Sequence, residues 1–353
     1  MGLFLRMARP RELALMAAVI LGFGPLALAQ QPATISLPPP EPALPLPSST
    51  QGDEVTLRTT TNVVLVPTLV EKGHGEVIYG LKSKDFELED NGVPQKLRVE
   101  EELDTAPVAL VVAVEQGRDG GLEFDKIAKL GPLLDLFLGD GKGEAALVSF
   151  DSAPLLVRDF THSEDDLSRD LRDLQPGDGG GAILDTIGYA VDLLQSQPKE
   201  YRRVLLLISE ERDHGSKHLN PQKLVERIGL TDVLVLSLTY SPSRAELLHD
   251  LKDNGDNRVM NPIGSLLMAV QAMKKNVAKQ IAVMSGGEYA PFTRDKGFQD
   301  EVAEVAQHSR NRYLLSFHPT DNTPGLHTLR VRLTQDYEAH VVARANYWAV
   351  DER

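Results

Sequence analysis

The chain has 353 residues, 42% of them hydrophobic and 25% charged, with a formal net charge of -14, which suits a soluble protein of more than one domain. The acidic surplus excludes nucleic acid as a partner, because phosphate binding needs clustered Lys and Arg, and an aromatic share of 5% offers few stacking platforms. There is no cysteine, so disulfides, thiolate metal sites and a cysteine nucleophile are excluded.

Residues 1–29 are expected to be a signal peptide. Arg6, Arg9 and Arg11 form a basic region, an apolar run from Leu13 to Leu28 follows, and Ala27 and Ala29 hold the small-residue positions before a cleavage site. The run is broken by Gly22, Gly24 and Pro25 and is short for a membrane span of ~20 apolar residues. The expected location is the periplasm or the exterior, with membrane attachment only if the segment stays uncleaved as an anchor. Residues 30–54, which include "PPPEPALPLP", read as an extended proline-rich linker.

Residues 55–105 read as strands. "VTLRTTTNVVLVPTLVEK" is β-branched, and "DFELEDNGVPQKLRVEEE" alternates around a turn at Asn91-Gly92. Between residues 106 and 300 the pattern changes. Apolar strands are expected at 108–114, 144–151, 204–209 and 232–240, with amphipathic helices at 124–138, 182–195 and 265–284. Met273 and Met284 in the last helix read as core. Residues 301–353 return to strands, with Trp348 as a core or edge anchor. The expected fold class is α/β: a doubly wound, mainly parallel sheet inserted in a small β-sandwich built from both chain ends. Ligands of such a sheet bind at the C-terminal strand tips, where the strand order reverses.

Several segments carry a family resemblance: "EAALVSFDS" with "RDFT" after it, "GDGGGAILDTIGYA", "RRVLLLISEERDHGS", "MSGGEYAPF" and "RYLLSFHPT". The chain resembles the von Willebrand factor A (VWFA)-related proteins of the Acidobacterial type. The resemblance implies a Rossmann-like fold with a metal-ion-dependent adhesion site, in which Asp-x-Ser-x-Ser, a Thr and a third-loop Asp hold a divalent cation. Carried over in this register, the first Asp falls at Ala113, the serines at Glu115 and Gly117, the Thr at Gly181 and the last Asp at Glu210. Asp185 stands at a further acidic position and is expected to bond loop backbone. A hard cation uses about six oxygens, and this set offers few, so the adhesion site reads as degenerate.

The remaining candidates are weighed in the same way. Glu115, Asp119, Glu210, Glu211 and Asp213 could rebuild a Mg²⁺ or Ca²⁺ site, or they could be acidic loops facing solvent. His214 and His218 could share a metal on a helix, but Gly215 and Ser216 argue for a loop. The "GDGGG" and "GDGKGE" stretches lack the spacing and context of a phosphate loop and read as turns. Ser149 and Ser209 lie outside any G-x-S-x-G elbow. No enzyme activity and no cofactor are expected. The leading expectation is an exported, non-enzymatic protein-interaction module, an adhesion or scaffold protein with an unidentified protein partner and no bridging metal. The alternative is cation-dependent adhesion through a divergent site.

Overall fold

The computed structural model describes residues 63–73, 75–100, 106–117, 124–139, 141–240, 262–292 and 297–351. The expected signal peptide and linker lie outside the described residues. Among the described residues, no helix is long and apolar enough to cross a membrane.

Three sheets organise the described chain. The largest uses β5 (Val108–Glu115), β6 (Glu144–Phe150), β7 (Pro154–Thr161), β8 (Arg202–Ser209), β9 (Leu234–Tyr240) and β10 (Tyr289–Phe292) in the order β10-β9-β8-β5-β6-β7. All pairings are parallel except β6 with β7. Every residue of β5 is buried, as a central strand covered on both faces requires. Leu110, Val112 and Val114 face one apolar core, while Ala109, Val111 and Ala113 face the other, the two-residue alternation of a strand. The chain runs from β5 to β6 on one side and later crosses to β8 on the other. The order therefore reverses between the tips of β5 and β8.

Helices cover both faces. The first core takes residues from α1 (Phe124–Ile127), α2 (Asp135–Leu138), α3 (Glu164–Arg172) and, after β10, α8 (Phe298–Arg310). The second takes α4 (Ile183–Gln195), α5 (Pro221–Gly229), α6 (Pro262–Lys275) and α7 (Val277–Ser285). Two expected helices are interrupted. Residues 124–138 break into α1, a 3-10 turn at Gly131–Leu133 and α2. Pro132 has no N–H to continue the helix, and Gly131 packs against the side chain and Cα of Ser168 with no room for a Cβ. The 265–284 stretch is α6 and α7, parted at Asn276, whose side chain accepts from the Lys279 amide at 2.8 Å and caps α7. Met273 and Met284 are fully buried core.

The two smaller sheets each combine strands from both chain ends. One has the order β13-β1-β11-β4, from β1 (Val64–Lys72), β4 (Leu97–Glu100), β11 (Tyr313–Phe317) and β13 (Ala339–Ala343). The other has the order β14-β12-β2-β3, from β2 (Phe86–Asp90), β3 (Val93–Gln95), β12 (Gly325–Leu333) and β14 (Asn346–Ala349). They share one apolar core that includes Val66, Phe86, Leu88, Leu315, Phe317 and Tyr347. Asn91 and Gly92 both take positive φ, 48° and 81°, which is the primed turn expected between β2 and β3.

The expected boundary at residues 300 and 301 falls inside α8. Phe298, Val302, Val305 and Ala306 of that helix all belong to the α/β core, so the helix and its apolar face place the change of layer after Arg310. Trp348 packs its backbone and Cβ against Gly229 at the end of α5, where a side chain on residue 229 would come within 2.8 Å. It anchors β14 to the α/β layer. Buried Arg344 ties the same junction by donating to the carbonyls of Leu65, Gly229 and Asn346. Desolvation lowers its guanidinium pKa to about 10.

Candidate functional site

The loops that follow β5, β6 and β8 converge at one end of the large sheet with the loop that precedes α4. Ala113, the position to which the resemblance assigns the first Asp, lies within β5 with its side chain fully buried in the core. The strand continues two residues further, and its tip is Glu115. Asp119 lies outside the described residues.

Glu115 is fully buried, and its Oε2 accepts the Glu210 amide at 2.6 Å across the point of strand reversal. Its Oε1 lies 2.5 Å from where a Cβ on Gly181 would stand. Gly117 is closed in the same way, because a Cβ there would overlap the Gly180 carbonyl. Loop backbone at residue 117 and the Glu115 carboxylate at residue 181 therefore occupy the space that hydroxyl side chains would need. Restoring them by Gly117→Ser with Gly181→Thr is expected to destabilise the fold by about 1–3 kcal/mol at each position, as overpacking does. Urea unfolding with and without Mg²⁺ measures this. A fully stable double variant that gains Mg²⁺ dependence would show that the space had been left for an ion.

The acidic residues here act as backbone acceptors. Asp185, in the first turn of α4, accepts from Lys217 N at 2.8 Å, His218 N at 3.1 Å and Leu219 N at 2.7 Å. In return Asp213 accepts from Leu184 N at 3.0 Å, and Ser216 Oγ accepts from Asp185 N at 3.0 Å. These are orphan amides at the start of α4, whose N-cap residue Ala182 has no capping side chain. Asp178 Oδ1 accepts from Gly180 N and Ser152 N, and Asp151 Oδ2 accepts from Asp178 N. The hydrogen bonds from Ser152 and Gly180 hold the Asp178 carboxyl below the usual carboxylate range.

Backbone contacts join the loops as well. Gly181 and His214 exchange two amide–carbonyl bonds of 3.1 and 2.7 Å, and Gly177 N donates to Gln116 O at 2.9 Å. Glu210 lies beside His214, with Oε2 to Nε2 at 3.6 Å. Glu211 belongs to a different contact, where it accepts from the Tyr289 hydroxyl at 3.0 Å and its carbonyl accepts from Val277 N. His214 and His218 lie on a loop, not on one helix face. Ser149 and Ser209 are buried at strand ends, and Ser209 Oγ donates to the Glu210 carbonyl.

A hard cation would need several oxygens turned inward. Among the described residues, no three carboxylate or imidazole ligand atoms at these tips lie within 4.8 Å of one another. Within this set the carboxylates of Glu115, Asp185 and Asp213 hold backbone amides. What the loops present to solvent is Gln175, Pro176, Asp178 and Gly179 on one side and Arg212, His214, Lys217 and His218 on the other. Sequence reasoning missed Asp151, Asp178, Gln116 and Ser216. Asp178 was the most visible of them, since Asp before two glycines is the signature of an Asx turn.

No family model matches the chain, and no curated protein matches it. Solved structures do. BatB from Bacteroides thetaiotaomicron is 14% identical over 57% of this chain and 99% of its own, with a TM-score of 0.40. The vWF domain of the type V pili tip protein Mfa5 from Porphyromonas gingivalis is 12% identical over 57% of this chain and 95% of its own, also at 0.40. Proximal thread matrix protein 1 from the mussel byssus, with a zinc-occupied MIDAS motif, is 15% identical over 62% of this chain and 49% of its own, at 0.40. With identities and scores this low, the fold assignment stands on the strand order and not on these likenesses.

Proposed function

We propose that this chain is an exported, non-enzymatic interaction module of the von Willebrand factor A type, which binds a protein partner through its strand-tip loops without a bridging metal. In this reading the two smaller sheets form one sandwich into which the α/β layer is inserted, and the proline-rich segment is a spacer. The observation that carries the reading is the closure of the switch point: Glu115 holds the Glu210 amide, and Gly117 and Gly181 are packed against carbonyl and carboxylate. A face preorganised by backbone bonds binds through shape and a polar rim and orders little on binding. The family resemblance supports the reading, since three of its quoted segments, those carrying Asp151, Asp178 and Glu210, reach this end.

The test is capture of a partner from an extracellular or periplasmic fraction on the immobilised whole chain, in EDTA and in millimolar Mg²⁺ or Ca²⁺. The expected result is a partner held in EDTA and lost from the exposed double variant Arg212→Glu, Lys217→Glu. Capture that requires Mg²⁺ or Ca²⁺ and disappears in Glu210→Ala would instead establish cation-dependent adhesion through a divergent site.

A further inference from the structure

The end of the large sheet opposite the strand tips holds a cavity of about 120 Å³. Val204 and Leu234, at the starts of β8 and β9, form one wall, and Leu65 and Pro67 of β1 with Leu314 of β11 form the other. The latter three alternate with Val64, Val66, Tyr313 and Leu315, which turn into the core of the smaller sheets. The two-residue period of a strand therefore sends Leu65, Pro67 and Leu314 toward the α/β layer. Lys199, Arg202, Arg203, Arg312 and Arg344 line the same space, against the carboxylates of Glu100 and Asp232.

These charges do not balance. Arg203 is bonded to Asp232 at 2.9 Å, and Arg312 to Glu288 at 2.7 Å. Glu100 accepts from the Ser316 hydroxyl. Arg344 is buried and donates only to carbonyls, those of Leu65, Gly229 and Asn346, which leaves some of its N–H groups unused. Among the described residues no carboxylate pairs with Arg344, and Lys199, exposed at the rim, makes no ion pair. Arg203 and Arg312 each keep a buried Nε with no acceptor. A buried guanidinium without a counter-ion is costly, and unmet buried donors are rare. The junction thus has positive charge and donors to spare beside apolar walls.

We propose that this cavity binds one small monocarboxylate with an apolar body, either a single ring or a short branched chain, whose carboxylate is the missing counter-ion of Arg344. The size selects the body, since a cavity of ~150 Å³ holds one benzene ring. A guanidinium matches the planar carboxylate group. Inorganic phosphate would leave Leu65, Val204, Leu234 and Leu314 without a partner. Lys199 adds positive charge at the rim, where it attracts an anion. The junction of two layers is also where small-molecule sites recur. Bound there, the acid touches β1 and β11 on one side and β8 and β9 on the other, and so stabilises the junction.

The cavity lies at the far end of β8 and β9 from the strand-tip loops, so it stands apart from the reading of that face. The test titrates the whole chain with sodium benzoate, sodium isovalerate, their neutral amides and inorganic phosphate, read by calorimetry, thermal unfolding and NMR. The expected result is one equivalent of at least one of the two acids per chain and a raised Tm. The Arg344 Nε–H resonance should shift, and the bound acid should show NOEs to the methyl groups of Leu65 and Leu314. The matching amide, equal in size but uncharged, should bind at least about tenfold more weakly, and phosphate should not raise Tm. Leu314→Trp, which fills the space from its apolar wall, should abolish binding in a folded chain. Lys199→Glu should weaken it at least about threefold, and Glu210→Ala, at the strand tips, should leave it unchanged. Arg344 also ties three carbonyls, so its own substitution tests the fold and not the site. No saturable binding of either acid below ~10 mM, amide or phosphate binding as tightly as the acid, or NOEs outside the cavity overturns the proposal. Binding that survives in Leu314→Trp overturns it too.

Discussion

Asp185→Ala is expected to cost about 3–5 kcal/mol and to release the segment 213–219 from the strand-tip face. Asp185 is 7% exposed and accepts three consecutive amides of that segment. A hydrogen bond to a charged acceptor contributes roughly 1.5–3 kcal/mol. The sum is discounted because the segment is half exposed and water can take up the freed amides. The loss spreads, since the same segment supplies Asp213 and Ser216 to the first turn of α4. Hydrogen exchange should rise at residues 217–219 and at the start of α4, with the sheet unchanged. Partner capture should fall with it. A cost below about 1 kcal/mol, with exchange unaltered, would mean that the loops hold their form without this clamp.

The second large effect lies in the smaller sheets. His327 is fully buried, with Nδ1 2.9 Å from Asp90 Oδ1 and Nε2 2.7 Å from the Thr323 carbonyl. Both ring nitrogens face acceptors, an arrangement that favours the doubly protonated ring. Tyr347 also donates to Asp90, at 2.7 Å, and burial pushes its phenol upward. Desolvation acts to lower the His327 pKa, but the Asp90 hydrogen bond and charge and the Thr323 carbonyl outweigh it, and the net shift is upward. A histidine raised in the folded state contributes its full stability below its unfolded value of about 6.5. That contribution is lost as pH rises through the folded value. His327→Leu should therefore cost about 3–5 kcal/mol at pH 6, by stranding the Asp90 carboxylate in the core. The gap between wild type and variant should narrow steadily as pH rises above about 6.5. Urea unfolding across that range reads it, and a gap that does not change with pH would show a neutral ring in the folded state.

The elements legible in the sequence were those whose cause is local. The four apolar strands of the large sheet appear where continuous Val and Leu runs place them, and Asn91-Gly92 turns as its backbone freedom predicts. Three helices escaped notice, α3, α5 and α8, although the first two carry local signals. Ser163 caps α3 through Asp166, and Asn220 caps α5 with Pro221 in its first turn. Neither helix is longer than 9 residues, too short for the apolar period to stand out. The antiparallel β7 was also missed, because its half-buried pattern on an edge lacks the continuous apolar run.

The amino-acid order by itself determined the four apolar strands at the centre of the large sheet, that strands lie on both sides of the middle segment, and that the middle alternates strand and helix. Only the tertiary structure decided where β5 ends, and so that Glu115 rather than Ala113 stands at the switch point. It also decided which carboxylate meets which amide. Glu115 and Glu210 are 95 residues apart, and Asp185 and Leu219 are 34 apart. No periodicity spans such distances. A buried carboxylate must find its donors wherever the fold brings them, and here Glu115 and Asp185 find backbone amides that join the loops of the face.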